Sequence, residues 1–377
     1  MLGFQGNGQL ERIFLFKLEC FCDISSLCIK WVDVKGEVDR VSKKYWQIAG
    51  GSFGRDYSDL FIKFGMAFVG GDSQTMKEVE KGDIVLLKKG LYQIVAVGEV
   101  AERDGKHRDC GDKSWLRDID GWDLQAYCYV DWRVPDTPIQ TNGLTRATIQ
   151  KVPQDKHKQL ADSILQLPVC AYKLEPSKTE LIDDNQILKF LISEGLRPSA
   201  ADDLTNTFRR IRLLADYYYH YPKWEDIREH ETRTFLIVPL LLALGWAEQQ
   251  IKIELPSSKG KMSGSKGKID IACFSKAYLR KDDECALIIE TKGFSSGLDY
   301  APEEARGYVK AFPSCQILVV SNGYCYKTYI RKDSGDFSTM PSAYLNLLNP
   351  RDKYPLDPDN VKGALDVLRW LLPTALR

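Results

Sequence analysis

The run Leu287-Ile288-Ile289 leads straight into Glu290-Thr291-Lys292, and no other feature of the chain restricts its fold as tightly. Consecutive apolar residues on a short segment indicate a strand buried on both faces, central in its sheet. A charged residue on such a strand needs a partner or a metal ion. Glu290 and Lys292 lie two apart, so both side chains leave the same face. Asp270 falls on the preceding expected strand, after Gly267-Lys268-Ile269. Neighbouring strands are about 4.8 Å apart, so Asp270 and Glu290 can share one cation. Two carboxylates suit Mg²⁺, a hard ion that keeps several waters, with Mn²⁺ as its substitute. Such an ion lowers the pKa of a bound water and neutralises charge developing on a phosphate. Lys292 can orient the attacking water or stabilise the transition state, which completes a minimal set for phosphodiester hydrolysis. An isolated Asp and Glu-x-Lys is usually a surface ion pair. The buried strand sets this one apart.

The flanking pattern gives helix, three strands, helix, two strands. The first helix is expected over 226–244 with Pro239 as a kink. Strands are expected over 250–255, 268–274, 286–291, 316–321 and 324–330, with a helix over 301–312 before the fourth. Strand-helix-strand order implies a crossover and at least one parallel pair. A last helix is expected over 360–372, with Val361, Ala364, Leu365 and Leu368 on one face. The formal net charge is zero, so a nucleic acid must be held by local patches rather than by a global field. One patch stands out. Residues 252–281 hold eight Lys/Arg against two carboxylates, Glu254 and Asp270. Within it, the Gly/Ser/Lys-rich stretch 256–268 reads as a basic loop. Lys259, Lys261, Lys266 and Lys268 are expected to contact phosphates, giving affinity without sequence information; a solvated loop is the plainer alternative.

The fold class expected is α+β, in three regions: 1–146, 147–225 and 226–377. Residues 43–132 are mostly strands, with a hairpin at Gly90, and should form a small barrel or curled sheet. Residues 147–221 switch to helical period. Ser177-Lys-Thr-Glu180 is a capping-box pattern, and Leu204, Phe208, Ile211, Leu214, Ala215 and Tyr218 share a face, with Pro222 as the stop. The segment Ile13 to Cys22 is compatible with strand or helix. The ten cysteines have no regular framework. Cys20, Cys22 and Cys28 cluster without a matching pair, so reduced thiols and a cytoplasmic location are expected. No secretory signal is read at the start, and the longest apolar run, 235–246, is too short to span a bilayer. No Gly-x-x-x-x-Gly-Lys-Ser/Thr occurs, so no nucleotide cofactor is expected and any motor is another chain.

Two resemblances add to this reading. Glu229-His-Glu-Thr-Arg233, Pro239-Leu-Leu, Leu244-Gly-Trp246, Lys268-Ile-Asp270, Ile289-Glu290-Thr-Lys292 and Glu304-Ala-Arg-Gly-Tyr308 follow in order over about 105 residues. This string resembles the PD-(D/E)XK nuclease fold, especially the nuclease domain of type I restriction motor subunits. The resemblance implies that Asp270, Glu290 and Lys292 are catalytic. It also implies that Glu229, rather than Glu231, adds a carboxylate to the metal site. Arg233, one turn later, could pair with Glu229. The family often has Gln where this chain has Glu304; an ionised Glu only accepts hydrogen bonds and repels DNA, which weakens the case for Tyr308 as a DNA contact.

Tyr45-Trp46-Gln-Ile, Lys81-Gly-Asp-Ile-Val-Leu, Ile94-Val-Ala-Val-Gly98-Glu-Val, Gly121-Trp122-Asp-Leu and Val130-Asp-Trp132 span about 90 residues. They resemble PUA-like, EVE-type domains that read modified bases. That resemblance implies an aromatic cage for a flipped base, with Trp46 and Trp122 as walls; stacking supplies about 1–3 kcal/mol per base. Arg55 would reach a phosphate or simply lie at the surface. Together the two resemblances imply a Mg²⁺-dependent, modification-dependent DNA endonuclease acting in restriction of foreign DNA and antiviral defence. Double-strand cutting calls for two active sites, which a homodimer would supply. The alternatives are a repair or structure-specific nuclease, a non-catalytic nucleic-acid binder, and an RNA-directed reader.

Overall fold

Side-chain alternation along residues 84–87 sends Val85 and Leu87 to one face of a strand and Ile84 and Leu86 to the other, and both faces are buried. The structure is a computed structural model that describes residues 43–376, apart from 52–54, 71–73, 222, 224–225, 257–267, 280–283, 300–304, 308 and 310–311. It is mixed α and β, with two sheets. The first contains β1 (Tyr45–Ala49), β2 (Met66–Val69), β3 (Ile84–Lys89), β4 (Gln93–Val100), β5 (Arg108–Cys110), β6 (Ala126–Arg133), β7 (Ile139–Gln140) and β8 (Ile149–Lys151). Their order is β2-β6-β4-β3-β1-β8, with β5 beside β6 and β7 beside β4. β1 and β3 run parallel. β3 and β4 form the expected hairpin, and Gly90 supplies the left-handed turn residue at φ 61°.

Residues 149–151, expected to open the helical connector, instead pair with β1 through Gln47 and Gln150. The helix Asp155–Ile164 then packs Ala161 and Ile164 onto the Ile84/Leu86 face. The capping box of the next helix, Asp184–Ser193, is made by Asp183 and Gln186, not by Ser177 and Glu180. The helix Ala201–Tyr219 buries the face its spacing predicts: Leu204, Phe208, Ile211, Ala215 and Tyr218.

The second sheet holds β9 (Ile251–Pro256), β10 (Lys268–Phe274), β11 (Cys285–Thr291), β12 (Ile317–Ser321), β13 (Cys325–Ile330) and β14 (Ala343–Asn346). It is ordered β14-β13-β12-β11-β10-β9. β11 and β12 are the expected parallel pair. Every residue of β11 is buried, as its apolar run requires. Of the expected helix at 301–312, the described residues 305–307 and 309 are helical. The helix before β9 is not one kinked rod. It runs Glu229–Thr232, widens into a π-helical turn at Arg233–Ile237, and resumes at Val238–Ala243. Pro239 explains the widening: it lacks an N–H, and its ring crowds the carbonyl four residues back. Among the described residues no helix is long and apolar enough to cross a membrane. The segment Ile13 to Cys22 and the cluster Cys20, Cys22 and Cys28 lie outside the described residues.

Residues 43–377 form one compact unit. The sheets meet at residues 118–122. Asp120 accepts from Lys327 Nζ at 2.9 Å and from the Tyr354 hydroxyl at 2.6 Å. Asp118 Oδ1 accepts from the Tyr344 hydroxyl at 3.0 Å and Asn346 Nδ2 at 2.8 Å. Gly121, at φ 83°, allows the closest approach, because a Cβ there would stand 2.4 Å from the Tyr324 ring. Burial pushes the Asp118 carboxyl up to about 6. A raised value in the folded chain means that the native state holds this proton more tightly than the unfolded state. The contribution is therefore full below the ordinary carboxylate range and is lost as pH rises through about 6. Asp118→Asn keeps the Oδ1 acceptor but cannot ionise. Urea unfolding should show the variant gaining on wild type by roughly 2 kcal/mol between pH 4 and pH 7.5. Parallel stability curves would contradict this.

Candidate active site

Asp270, Glu290 and Lys292 come together at one end of the second sheet. The β10–β11 register pairs Ile271 with Ile289, so Asp270 and Glu290 are the next residues across and share a face. The β9–β10 register pairs Ile253 with Ile271 and Leu255 with Ile269. It therefore brackets Glu254 against Asp270, giving a row of three carboxylates across three neighbouring strands. Glu254 is the member that the sequence reading missed. Its φ of 52° lies in the left-handed region, a strain of about 1–3 kcal/mol for a side-chain-bearing residue. Such strain concentrates at functional sites.

Each carboxylate stands against a cation. Asp270 Oδ1 accepts from Arg233 at 2.9 Å, and its Oδ2 accepts from the Thr291 N–H and hydroxyl, both at 2.8 Å. The last β11 amide thus goes to a carboxylate, and the two strands part at Asp270. Glu290 is only 4 % exposed and accepts from Lys292 Nζ at 2.8 Å. Lys292 Nζ also lies 3.8 Å from Glu229 Oε1, so the helix-borne carboxylate does reach the site. Arg233 does not pair as expected. It bridges Asp270 and Glu254, because the π-turn rotates it toward the sheet. Lys268 sits on the rim, 2.8 Å from Glu254. With Lys268 and Arg233 around it, the Glu254 carboxyl is held below its ordinary range, first by its hydrogen bond from Lys268. A cavity of about 490 Å³ opens here, lined by Glu229, Arg233, Glu254, Lys268, Asp270 and Gly293 among others.

Among the described residues no three His, Cys, Asp or Glu side chains stand arranged to hold a metal ion. Arg233, Thr291 and Lys292 engage these carboxylates. The donor set itself is all carboxylate oxygen, which matches a hard cation such as Mg²⁺. Lys259, Lys261, Lys266, Glu304 and Tyr308 lie outside the described residues.

A second cavity, of about 730 Å³, is lined by Tyr57, Phe61, Phe68, Trp122, Asp123 and Tyr219 among others. Trp122 is thus placed as a wall. Trp46 is not: it is fully buried, its indole N–H donates to Asp83 at 2.8 Å, and Lys151 lies over its ring. β1 is covered on both faces, so an aromatic residue there becomes core. Tyr219 arrives from the end of the long helix, which sequence reading had treated as a connector. Arg55, expected at a phosphate or the surface, is 4 % exposed and donates to the Ser295 carbonyl at 2.6 Å.

No family model matches the chain, and no curated protein matches it. Among solved structures, it is similar to a fragment assigned as an HsdR subunit of a type I restriction enzyme from Vibrio vulnificus YJ016. Identity is 17 %, the match covers 35 % of this chain and 24 % of that chain, and the TM-score is 0.24. That likeness is too slight to fix the fold or to lend this chain any property of that protein.

Proposed function

We propose that this protein is a Mg²⁺-dependent DNA endonuclease that cuts near modified bases, in restriction of foreign DNA. The observation that carries the reading is the pair of buried Glu290 and half-buried Lys292 beside Asp270, where β10 and β11 part. A structural ion pair has no need of a further carboxylate, Glu229, from a separate element, nor of an open cavity beside it. Asp270 and Glu290 would hold the cation, with Glu229 beside them. The ion supplies an acidified water and charge neutralisation at the phosphate. Lys292 has a flexible stem and a compact charge, so it can turn from Glu290 toward a phosphate oxygen and stabilise the negative charge that develops there. Arg233 fixes the Asp270 carboxylate, and Lys268 at the rim receives the DNA backbone.

The aromatic cavity supports base reading. Its volume exceeds that of one nucleobase, and Trp122, in a turn, and Tyr219, at the end of its helix, offer aromatic surface to it. A base must leave the duplex to enter it. A non-catalytic binder is disfavoured by the cost of placing Glu290 on a buried strand, with Lys292 half-buried just beyond its end.

One digest series tests the proposal. Duplexes with cytosine, 5-methylcytosine or 5-hydroxymethylcytosine are incubated with the protein, with and without Mg²⁺. Cleavage only with Mg²⁺, and faster on a modified duplex, is the expected outcome. Equal cutting of all three would remove base reading; no cutting of any would remove the nuclease assignment.

A further inference from the structure

A buried guanidinium lies between a wall of the aromatic cavity and the backbone beside the carboxylate cavity. Arg55 Cζ stands 3.9 Å from the centre of the Trp122 ring, and Trp122 lines the aromatic cavity. The Arg55 Nη1 donates to the carbonyl of Ser295. Ser295 lies three residues after Lys292, between Gly293 and Ser296, and those two line the carboxylate cavity. The segment is tied from several sides. Phe294 N–H donates to the Ile227 carbonyl at 2.9 Å, Asp56 N–H to Asp299 at 3.0 Å, and Asn322 Nδ2 to the Ser296 carbonyl at 3.3 Å. Arg55 is thus in contact with a wall of one cavity and with the backbone that shapes the other.

The energetics of that link are unusual. Arg55 is 4 % exposed, yet its Nε and Nη2 are buried and have no hydrogen-bond partner among the described residues. Buried N–H groups of a charged side chain that lack acceptors are costly. A shift of the guanidinium that gained an acceptor would lower that cost, which is the property a two-position element needs. Stacking on Trp122 holds Arg55 by its face, and the Ser295 carbonyl holds it by its edge.

We propose that Arg55 is a positioning residue, linking occupancy of the aromatic cavity to the placement of the 293–296 backbone and so of Lys292. This rests on the reading of the protein as a base-reading nuclease. A base on Trp122 would favour one position of Arg55, and linkage requires that the productive placement of Lys292 favour base binding in return.

The test measures two quantities on a 5-hydroxymethylcytosine duplex and its unmodified twin. One is affinity, in Ca²⁺ to suppress cutting; the other is the single-turnover cleavage rate in Mg²⁺. Wild type should cut the modified duplex roughly tenfold faster, within the usual range of coupling between sites. Arg55→Ala should still bind the modified duplex preferentially, while its cleavage ratio falls close to one. Arg55→Lys, which keeps the charge but not the planar stack, should fall between. A general packing defect would lower both rates together and leave their ratio intact, and a ratio kept in Arg55→Ala overturns the proposal. Should that variant fail to fold, hydrogen exchange of wild-type residues 293–299 decides. Protection that changes with the modified duplex and not with its twin is expected, and no difference overturns the link. Equal cutting of both duplexes by wild type would instead overturn the base-reading assignment, and the link with it.

Discussion

Replacing Glu290 by Gln is expected to lower Mg²⁺-dependent cleavage by roughly 10²–10³-fold, the scale of removing one preorganised charge-stabilising group. The substitution keeps the shape of a side chain that is 4 % exposed on a fully buried strand, so the sheet should fold unchanged. What it removes is the negative charge beside Asp270, while its amide oxygen can still accept from Lys292 Nζ. Asp270→Asn and Lys292→Ala should fall in the same range. Residues that act as one unit are not additive, so a double variant of Asp270 and Glu290 should be scarcely worse than either single change. Lys268→Ala differs in kind. It should weaken binding on every duplex and flatten the salt dependence, without a comparable loss in single-turnover rate at saturation. Single-turnover cleavage against protein concentration separates the two behaviours. A Glu290→Gln enzyme that cuts at the wild-type rate would be incompatible with the assignment.

The second large effect concerns stability. Lys327 lies on β13 with its ammonium buried between Asp120 at 2.9 Å and Asp299 at 3.0 Å. Burial works against its charge, but Asp120 and then Asp299 outweigh it and hold the ammonium above the ordinary lysine range. Lys327→Ala would leave the Asp120 carboxylate buried with Tyr354 as its remaining partner in this network. Breaking a buried pair from one side typically costs about 3–5 kcal/mol. Urea unfolding should show that loss as a lower midpoint. Adding Asp120→Asn, which removes the stranded charge, should recover part of it. An unchanged midpoint in Lys327→Ala would mean that this cluster contributes little to joining the two sheets.

The grouping of Asp270, Glu290 and Lys292 was legible because strand periodicity and order alone bring the three together. The apolar run before Glu290 fixed its burial. The face of the helix Ala201–Tyr219 was legible for the same reason, a clean period. Glu254 was not, since its place in the carboxylate row depends on the β9 register and on a left-handed backbone that no local pattern announces. Arg233 was placed by helical spacing against Glu229, and the π-turn redirected it. Trp46 and Trp122 looked alike in sequence, yet one is core and the other a cavity wall. Their difference lies in what covers each strand or loop. The Asp120–Lys327 pair spans 207 positions and leaves no trace in any window of residues.

The central claim is that Asp270 and Glu290 share one divalent cation beside Lys292. Titration with Mn²⁺, followed by its electron paramagnetic resonance signal, tests it without reference to cleavage. Wild type should bind Mn²⁺, Mg²⁺ should displace it, and Asp270→Asn and Glu290→Gln should each weaken it by roughly 10–100-fold. Equal Mn²⁺ affinity in wild type and both variants would contradict a shared ion at this site.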